Sequence, residues 1–393
     1  MIDSITIAET GLRGFEDGLR TISNNTANLN TPGYKGSVTQ FADMTYGSQS
    51  AAGQGRSQFG QQGHGLNTLG TSLRFTQGQL QSTGNALDVA VDGEGFFTLM
   101  DTNGAIHYTK DGQFKFDSSN TLVSTATGER VLLNDGNGNL QPVSLASMRT
   151  NPAKATTTIK FAGNLSSTAT SDTVGNVTVI DSAGTSHSLS LSFAPVTGKA
   201  GSWTATLKDG TTTVGTATLP FSNGTVTAGS GQLAFNYTPA GGSAMALTFD
   251  FSSNVTSYDT GTSSSLAVAS QDGFAVGTLT SESFDSSGTL VLSYSNGQTV
   301  KQGQLALAQF NSPDDVEAVG NNEFAVKGGA NWQTGVAGTG RFGSVQSGVI
   351  EMSNVDLSQE FSNLVIMQRG YQACSQVVST ASEMLTSLFG MTK

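Results

Sequence analysis

The chain has 393 residues and a formal net charge of −11, yet only 12% of its residues are charged and 49 are glycine. The acidity and the absence of any Lys/Arg cluster exclude a nucleic-acid surface, which needs concentrated positive charge. No apolar run reaches the roughly 18 residues that span a bilayer, so no membrane insertion is expected. The single cysteine, Cys374, excludes an internal disulfide framework. Ser, Thr, Asn and Gln supply most of the polarity, while β-branched and aromatic residues recur at strand spacing. That pattern fits a β-rich extracellular or assembly protein, not a disordered chain.

Residues 1–30 predict a first helix. Ile5, Ala8, Leu12, Phe15, Leu19, Ile22 and Leu29 recur at heptad spacing, with Thr26 in the remaining slot. Asp3 or Ser4 is positioned to cap its start. Gly11, Gly14 and Gly18 each weaken it by up to about 1 kcal/mol relative to Ala, so it should order only when packed. Thr31-Pro32-Gly33 stops it, since proline disfavours helix in the residue before it. The opening residues hold neither the basic nor the apolar region of a secretory leader, so a standard cleaved signal peptide is not expected.

Residues 31–70 are rich in Gly, Gln and Ser and predict an extended linker, with Phe41 and Phe59 placed to dock on a neighbour. Strand patterning covers 71–145 and resumes over 278–345, which predicts one split β domain. Between them, 146–277 is Ser/Thr/Gly-rich and strongly alternating. Leu189-Leu191-Phe193, Trp203-Ala205-Leu207, Leu233-Phe235-Tyr237 and Leu247-Phe249-Phe251 each set three residues on one face at period two. Asp209-Gly210 and Asn223-Gly224 mark hairpins. This segment predicts an inserted β domain, a sandwich or barrel.

The C-terminal stretch 346–393 predicts a second, longer helix. Leu357, Leu364, Tyr371, Val378 and Leu385 recur every seven residues, and Met367, Cys374, Ala381 and Leu388 hold the second slot of those heptads. Only Glu360 breaks the pattern. Ser353 and Asp356 are spaced for a capping box. An apolar seam of this length needs a partner, and the first helix offers one. The fold class is therefore mainly β, with paired, coiled-coil-like terminal helices.

No catalytic constellation can be assembled. Asp92 and Glu94 sit in a Gly-punctuated turn, and Gly93 and Gly95 open no phosphate-binding loop. His64, His107 and His187 show no metal-ligand spacing, so neither metal nor cofactor is expected. Cys374 lies on the seam, where a thiol packs as a small hydrophobe.

One run is long and specific. Ser23-Asn24-Asn25-Thr26-Ala27-Asn28-Leu29-Asn30-Thr31-Pro32-Gly33-Tyr34-Lys35 resembles the N-terminal signature of bacterial flagellar rod, hook and hook-associated proteins, departing from the common pattern at Thr26 and Leu29. Its amides can satisfy backbone groups where a helix ends. Leu87–Phe97, Tyr108–Phe114, Gly128–Leu132, Gln304–Phe310 and Gly320–Phe324 resemble the same family's β segments in the same order. Gln368-Arg369-Gly370-Tyr371 resembles its C-terminal signature, with Cys374 where the family usually has Asn.

The size of the insertion fits a hook subunit more than the shorter rod proteins. The resemblance implies a self-assembling tube with the terminal helices inside and the β domains facing outward, acting as a universal joint between motor and filament. It implies export by the flagellum's type III apparatus. It also implies contacts with distal rod, hook cap and hook-filament junction proteins. A distal-rod member of the family, or a β-rich adhesin or glycan-binding protein, remains an alternative reading.

Overall fold

The computed structural model describes residues 2–44, 46–49, 60–329 and 331–391, and their side chains except those of 2, 46–49 and 60–62. Two helices bracket thirty-one strands among these residues: α1 (Ile2–Ala27) and α2 (Leu357–Met391). The chain divides into two compact units. The first comprises Met1–Ala146, Glu282–Val291 and Lys301–Lys393; the second comprises Ser147–Ser281 and Leu292–Val300. Both helices thus belong to the first unit, and the hairpin tip at 292–300 belongs to the second.

In the first unit, the Phe96–Met100 strand sits centrally. It pairs antiparallel with Ile106–Thr109 (Phe97↔Thr109), with Arg130–Asn134 (Arg130↔Met100) and with Thr299–Phe310 (Leu307↔Phe97). The Glu323–Val326 strand extends this sheet beside Ile106–Thr109. Phe96, Tyr108, Ala308, Val316 and Phe324 form a buried core, with Phe75 and Phe310 edge-on to its rings. Two short ladders, Val89–Asp92 with Ser344–Ser347 and Leu80–Ser82 with Val349–Glu351, run the two ends of the chain side by side toward the helices.

Residues 31–70, expected as an extended linker, are in part a β-hairpin. Ser37–Asp43 pairs with Leu66–Leu73, and Tyr46–Gln49 pairs with Gly60–Gly63. Alternation in Ser37–Asp43 was masked by the surrounding Gly/Gln composition. Phe41 packs over Gly14 of α1, where a Cβ would lie 3.4 Å from its ring. Phe59 lies outside the described residues.

The second unit carries one ten-stranded sheet. Its first four strands, from Asp172–Ile180 to Thr212–Ser222, form an antiparallel meander. The Gln232–Tyr237/Met245–Asp250 hairpin joins it through Thr158–Asn164, which runs parallel to Met245–Asp250. All four period-two triplets point into a single core, together with Phe161, Leu165 and Leu219. Asn223 and Gly224 both have positive φ (52° and 78°) in the two-residue turn after Thr212–Ser222, the backbone that an Asn-Gly hairpin favours.

Candidate functional site

The two ends of the chain meet along α1 and α2. Small residues on one helix receive large ones on the other, in a single antiparallel register. A Cβ on Gly11 would lie 2.8 Å from Cys374 Sγ, and one on Gly18 would lie 2.9 Å from Met367 Sδ. A Cβ on Gly370 would intrude on the Phe15 ring. The glycines that weaken α1 in isolation are therefore the places where its neighbours enter. Gly14 does the same toward the hairpin: a Cβ there would lie 2.5 Å from Leu66 Cδ2. The hairpin is also tied to α1 by Leu66 N donating to Thr10 Oγ1 (3.0 Å) and Thr39 Oγ1 donating to Thr21 Oγ1 (2.8 Å).

The heptad residues divide into two groups. On α1, Ile22 and Ala8 are buried, while Ile5, Leu12, Phe15 and Leu19 are half-buried. On α2, the row Met367, Cys374 and Ala381 faces α1; Leu364, Val378 and Leu385 are half-buried beside it. Leu357, Tyr371 and Leu388 are exposed. Gly370 is the part of the Gln368-Arg369-Gly370-Tyr371 motif that touches α1, and Gln368 and Arg369 are exposed.

Glu360, which breaks the heptad, is 2% exposed. Its Oε1 accepts from Asn25 Nδ2 at 3.1 Å and lies 3.7 Å from the Arg74 guanidinium. A polar group in an otherwise apolar seam fixes register, because any slip would strand it without a partner. Asn25, 1% exposed, uses both ends of its amide: Nδ2 also donates to Ser37 O (2.8 Å), while Oδ1 accepts from Ser37 N (3.0 Å) and the Tyr34 hydroxyl (3.2 Å). Burial, with the Glu360 charge, pushes the Tyr34 phenol up from its ordinary range.

The rest of the N-terminal motif closes the helix end. Asn24 Nδ2 donates to the Tyr34 hydroxyl (3.0 Å), Asn28 Nδ2 donates to Asn24 O (2.9 Å), and Thr31 Oγ1 donates to Asn28 Oδ1 (3.2 Å). Pro32 O accepts from Asn322 Nδ2 at 3.0 Å. Gly33 has φ of 69°, and its N–H donates to Glu351 O at 2.8 Å; a Cβ there would lie 2.5 Å from Asp111 N. Only glycine fits that backbone and that space.

Below the helices lies a buried ionic knot that sequence reasoning missed. Lys35 Nζ is 2.6 Å from Glu351 Oε1, and both side chains are fully buried. Lys35 also donates to Thr76 O (2.9 Å), and Glu351 Oε1 accepts from Gly78 N (2.7 Å). Lys110 Nζ stands 3.8 Å from Glu351 Oε2 and donates to Gly93 O at 3.0 Å. Burial pulls the Lys110 pKa down to about 8, opposed by Glu351 and reinforced by Lys35. Asn354 completes the tie: Oδ1 accepts from Gly36 N (2.8 Å) and Nδ2 donates to Arg74 O (2.7 Å). Removing one member of such a pair costs about 3–5 kcal/mol, since a buried charge is left uncompensated.

Helix starts differ from expectation. Asp356 alone caps α2, its Oδ1 accepting from Ser358 N (2.8 Å) and Gln359 N (3.2 Å), and Ser353 Oγ instead accepts from Val355 N. Asp3 and Ser4 lie inside the first turn of α1, not before it.

This geometry binds the chain's ends into one body and leaves apolar surface on α2. At about 100° per residue, Ile366, Val377 and Met384 flank the α1 seam, whereas Phe361 and Val365 point away from it. Phe361 is 54% exposed and Ile366 62%.

Comparison with known proteins bears on the same segments. Residues 5–35 match the family described as flagella basal body rod protein, 90–179 the flagellar hook protein FlgE/F/G D1 domain, and 346–391 the flagellar basal body rod FlgEFG protein C-terminal. Flagellar hook protein FlgE of Salmonella typhimurium is 32% identical, over 99% of this chain and 100% of its own length. FlgE of Escherichia coli K12 is 34% identical, over 98% of each chain. The crystal structure of Helicobacter pylori hook protein FlgE2 shares the fold with a TM-score of 0.52 at 13% identity, covering 68% of this chain and 99% of that one. The long motifs at both ends, the β segments between them and these full-length relatives agree: the chain belongs to the flagellar hook protein family.

Proposed function

We propose that this chain, a structural subunit of the flagellar hook, polymerises with copies of itself through α1 and α2. The polymer is a tube that bends while passing motor torque to the filament. One observation carries the reading. The seam between α1 and α2 is already filled, yet α2 still exposes apolar side chains on two separate sides. Large apolar side chains exposed in such number on one helix mark an interaction site, and two sides call for contacts with more than one neighbour. The non-seam positions are mainly Ser, Thr, Asn and Gln. Such groups cost less to desolvate between packed subunits than isolated charges.

In this arrangement residues 1–30 and 346–393 form the inner assembly layer. The split β domain lies outside it. Uncharged Ser/Thr strand faces on the insertion suit contact between identical subunits that each carry −11. Distal rod, hook cap and hook-filament junction proteins are the further partners, and export proceeds through the flagellar type III apparatus. Relatives of this length are structural hook proteins, which favours the hook over the rod and a structural role over an enzymatic one. Deleting residues 356–393 should leave a soluble, folded β protein that forms no polymer by electron microscopy. Tubes of normal diameter from that truncated chain would end this reading.

A further inference from the structure

We propose a divalent-metal site formed by His107, Glu129 and Glu323 within the first unit, with zinc the cation its ligands suit best. Among the described residues, these side chains bring three ligand atoms within 4.8 Å of one another. His107 Nδ1 lies 2.9 Å from Glu129 Oε1 and 3.8 Å from Glu323 Oε2. Tetrahedral ligands held about 2.1 Å from zinc stand about 3.4 Å apart. The two separations from His107 bracket that value, and the three ligand atoms all lie within 4.8 Å of one another, so a cation enters by drawing the carboxylates in around it.

Three further features fit a ligand. The Glu323 side chain is only 7% exposed, and its Oε1 accepts no hydrogen bond. Burying a carboxylate oxygen unpaired is costly, and a cation removes that cost. A neutral imidazole carries one N–H and satisfies at most one of two facing carboxylates; a divalent ion satisfies both. The ligands also come from a rigid frame. His107 lies on Ile106–Thr109, Glu323 opens the strand paired with it (Glu323↔Thr109), and Glu129 immediately precedes Arg130–Asn134, which pairs with the intervening Phe96–Met100. One imidazole with two carboxylates selects a borderline cation such as zinc over calcium or magnesium, which prefer all-oxygen cages. Bound metal would tie together segments at both sides of the Phe96–Met100 strand in the first unit.

The test uses the full chain, stripped with EDTA and titrated with Zn²⁺ against a chromophoric competitor. The expected result is one ion per chain and a thermal midpoint a few degrees higher with zinc. Binding should weaken at least tenfold in both Glu323→Gln and His107→Gln, and be unchanged in the double variant His64→Gln/His187→Gln. If one single variant fails to fold by circular dichroism, the other decides. No stoichiometric binding, binding that survives both substitutions, or binding lost in the His64/His187 control would overturn the proposal.

Discussion

The second unit and the terminal helices use the same kind of apolar periodicity to different ends. In the second unit, every member of the four alternating triplets is buried in a core the chain supplies alone, with Trp203 and Phe193 among its largest residues. In α2, Met367, Cys374 and Ala381 find α1, while Phe361, Val365, Ile366, Val377 and Met384 stay exposed. A strand pattern that closes on itself makes a domain. A helical pattern wider than the partner its own chain offers leaves a surface for other chains. Between α1 and α2 the Asn25–Glu360 hydrogen bond makes the register costly to change, because a slip would leave buried polar groups without partners.

That contrast can be broken from either side. The largest effect is expected from Phe361→Asp with Ile366→Asp: polymerisation is lost in sedimentation assays, while monomer stability changes by less than about 0.5 kcal/mol, because both positions are exposed. Glu351→Ala should cost the first unit about 3–5 kcal/mol by leaving Lys35 and Lys110 without their anion. Denaturant unfolding followed at Trp332 would shift, and unfolding followed at buried Trp203 in the second unit would not. Gly370→Ala should destabilise the helix pair by about 1–3 kcal/mol through overlap with Phe15. Gly390→Ala, with nothing near its added carbon, should instead gain about 0.5–1 kcal/mol of helix propensity. The smallest effect concerns acid. Asp272 is held down to about 2 in the fold, against 3.8, by hydrogen bonds from Thr157 and Thr158 that outweigh its burial. Its contribution is full above pH 3.8 and lost as pH falls through about 2. Asp272→Asn in a Trp332→Phe background should flatten that acid-side loss in Trp203 fluorescence.

Local periodicity made much of this legible. The alternating triplets of the second unit, the heptads of both helices and the stop at Thr31-Pro32-Gly33 all rest on neighbours within a few residues. What escaped depends on partners far away in the chain. Glu360 looked like a flaw in the seam because its partner Asn25 is 335 residues distant. Lys35 and Glu351, 316 residues apart, carry no mutual signal, and His107 shows no metal spacing because its carboxylates arrive from other strands. The Ser37–Asp43 hairpin was hidden for a different reason: the segment it encloses is rich in glycine and amide side chains, which dilutes the alternation.

The central claim is that α2's outward apolar residues are completed by other copies of this chain. Electron cryomicroscopy of the polymerised protein tests it most directly. The expected map shows Phe361 and Ile366 buried against helices of two different neighbouring subunits, with the Asn25–Glu360 register intact. A tube in which subunits meet only through their β domains, with those side chains still facing solvent, would contradict it.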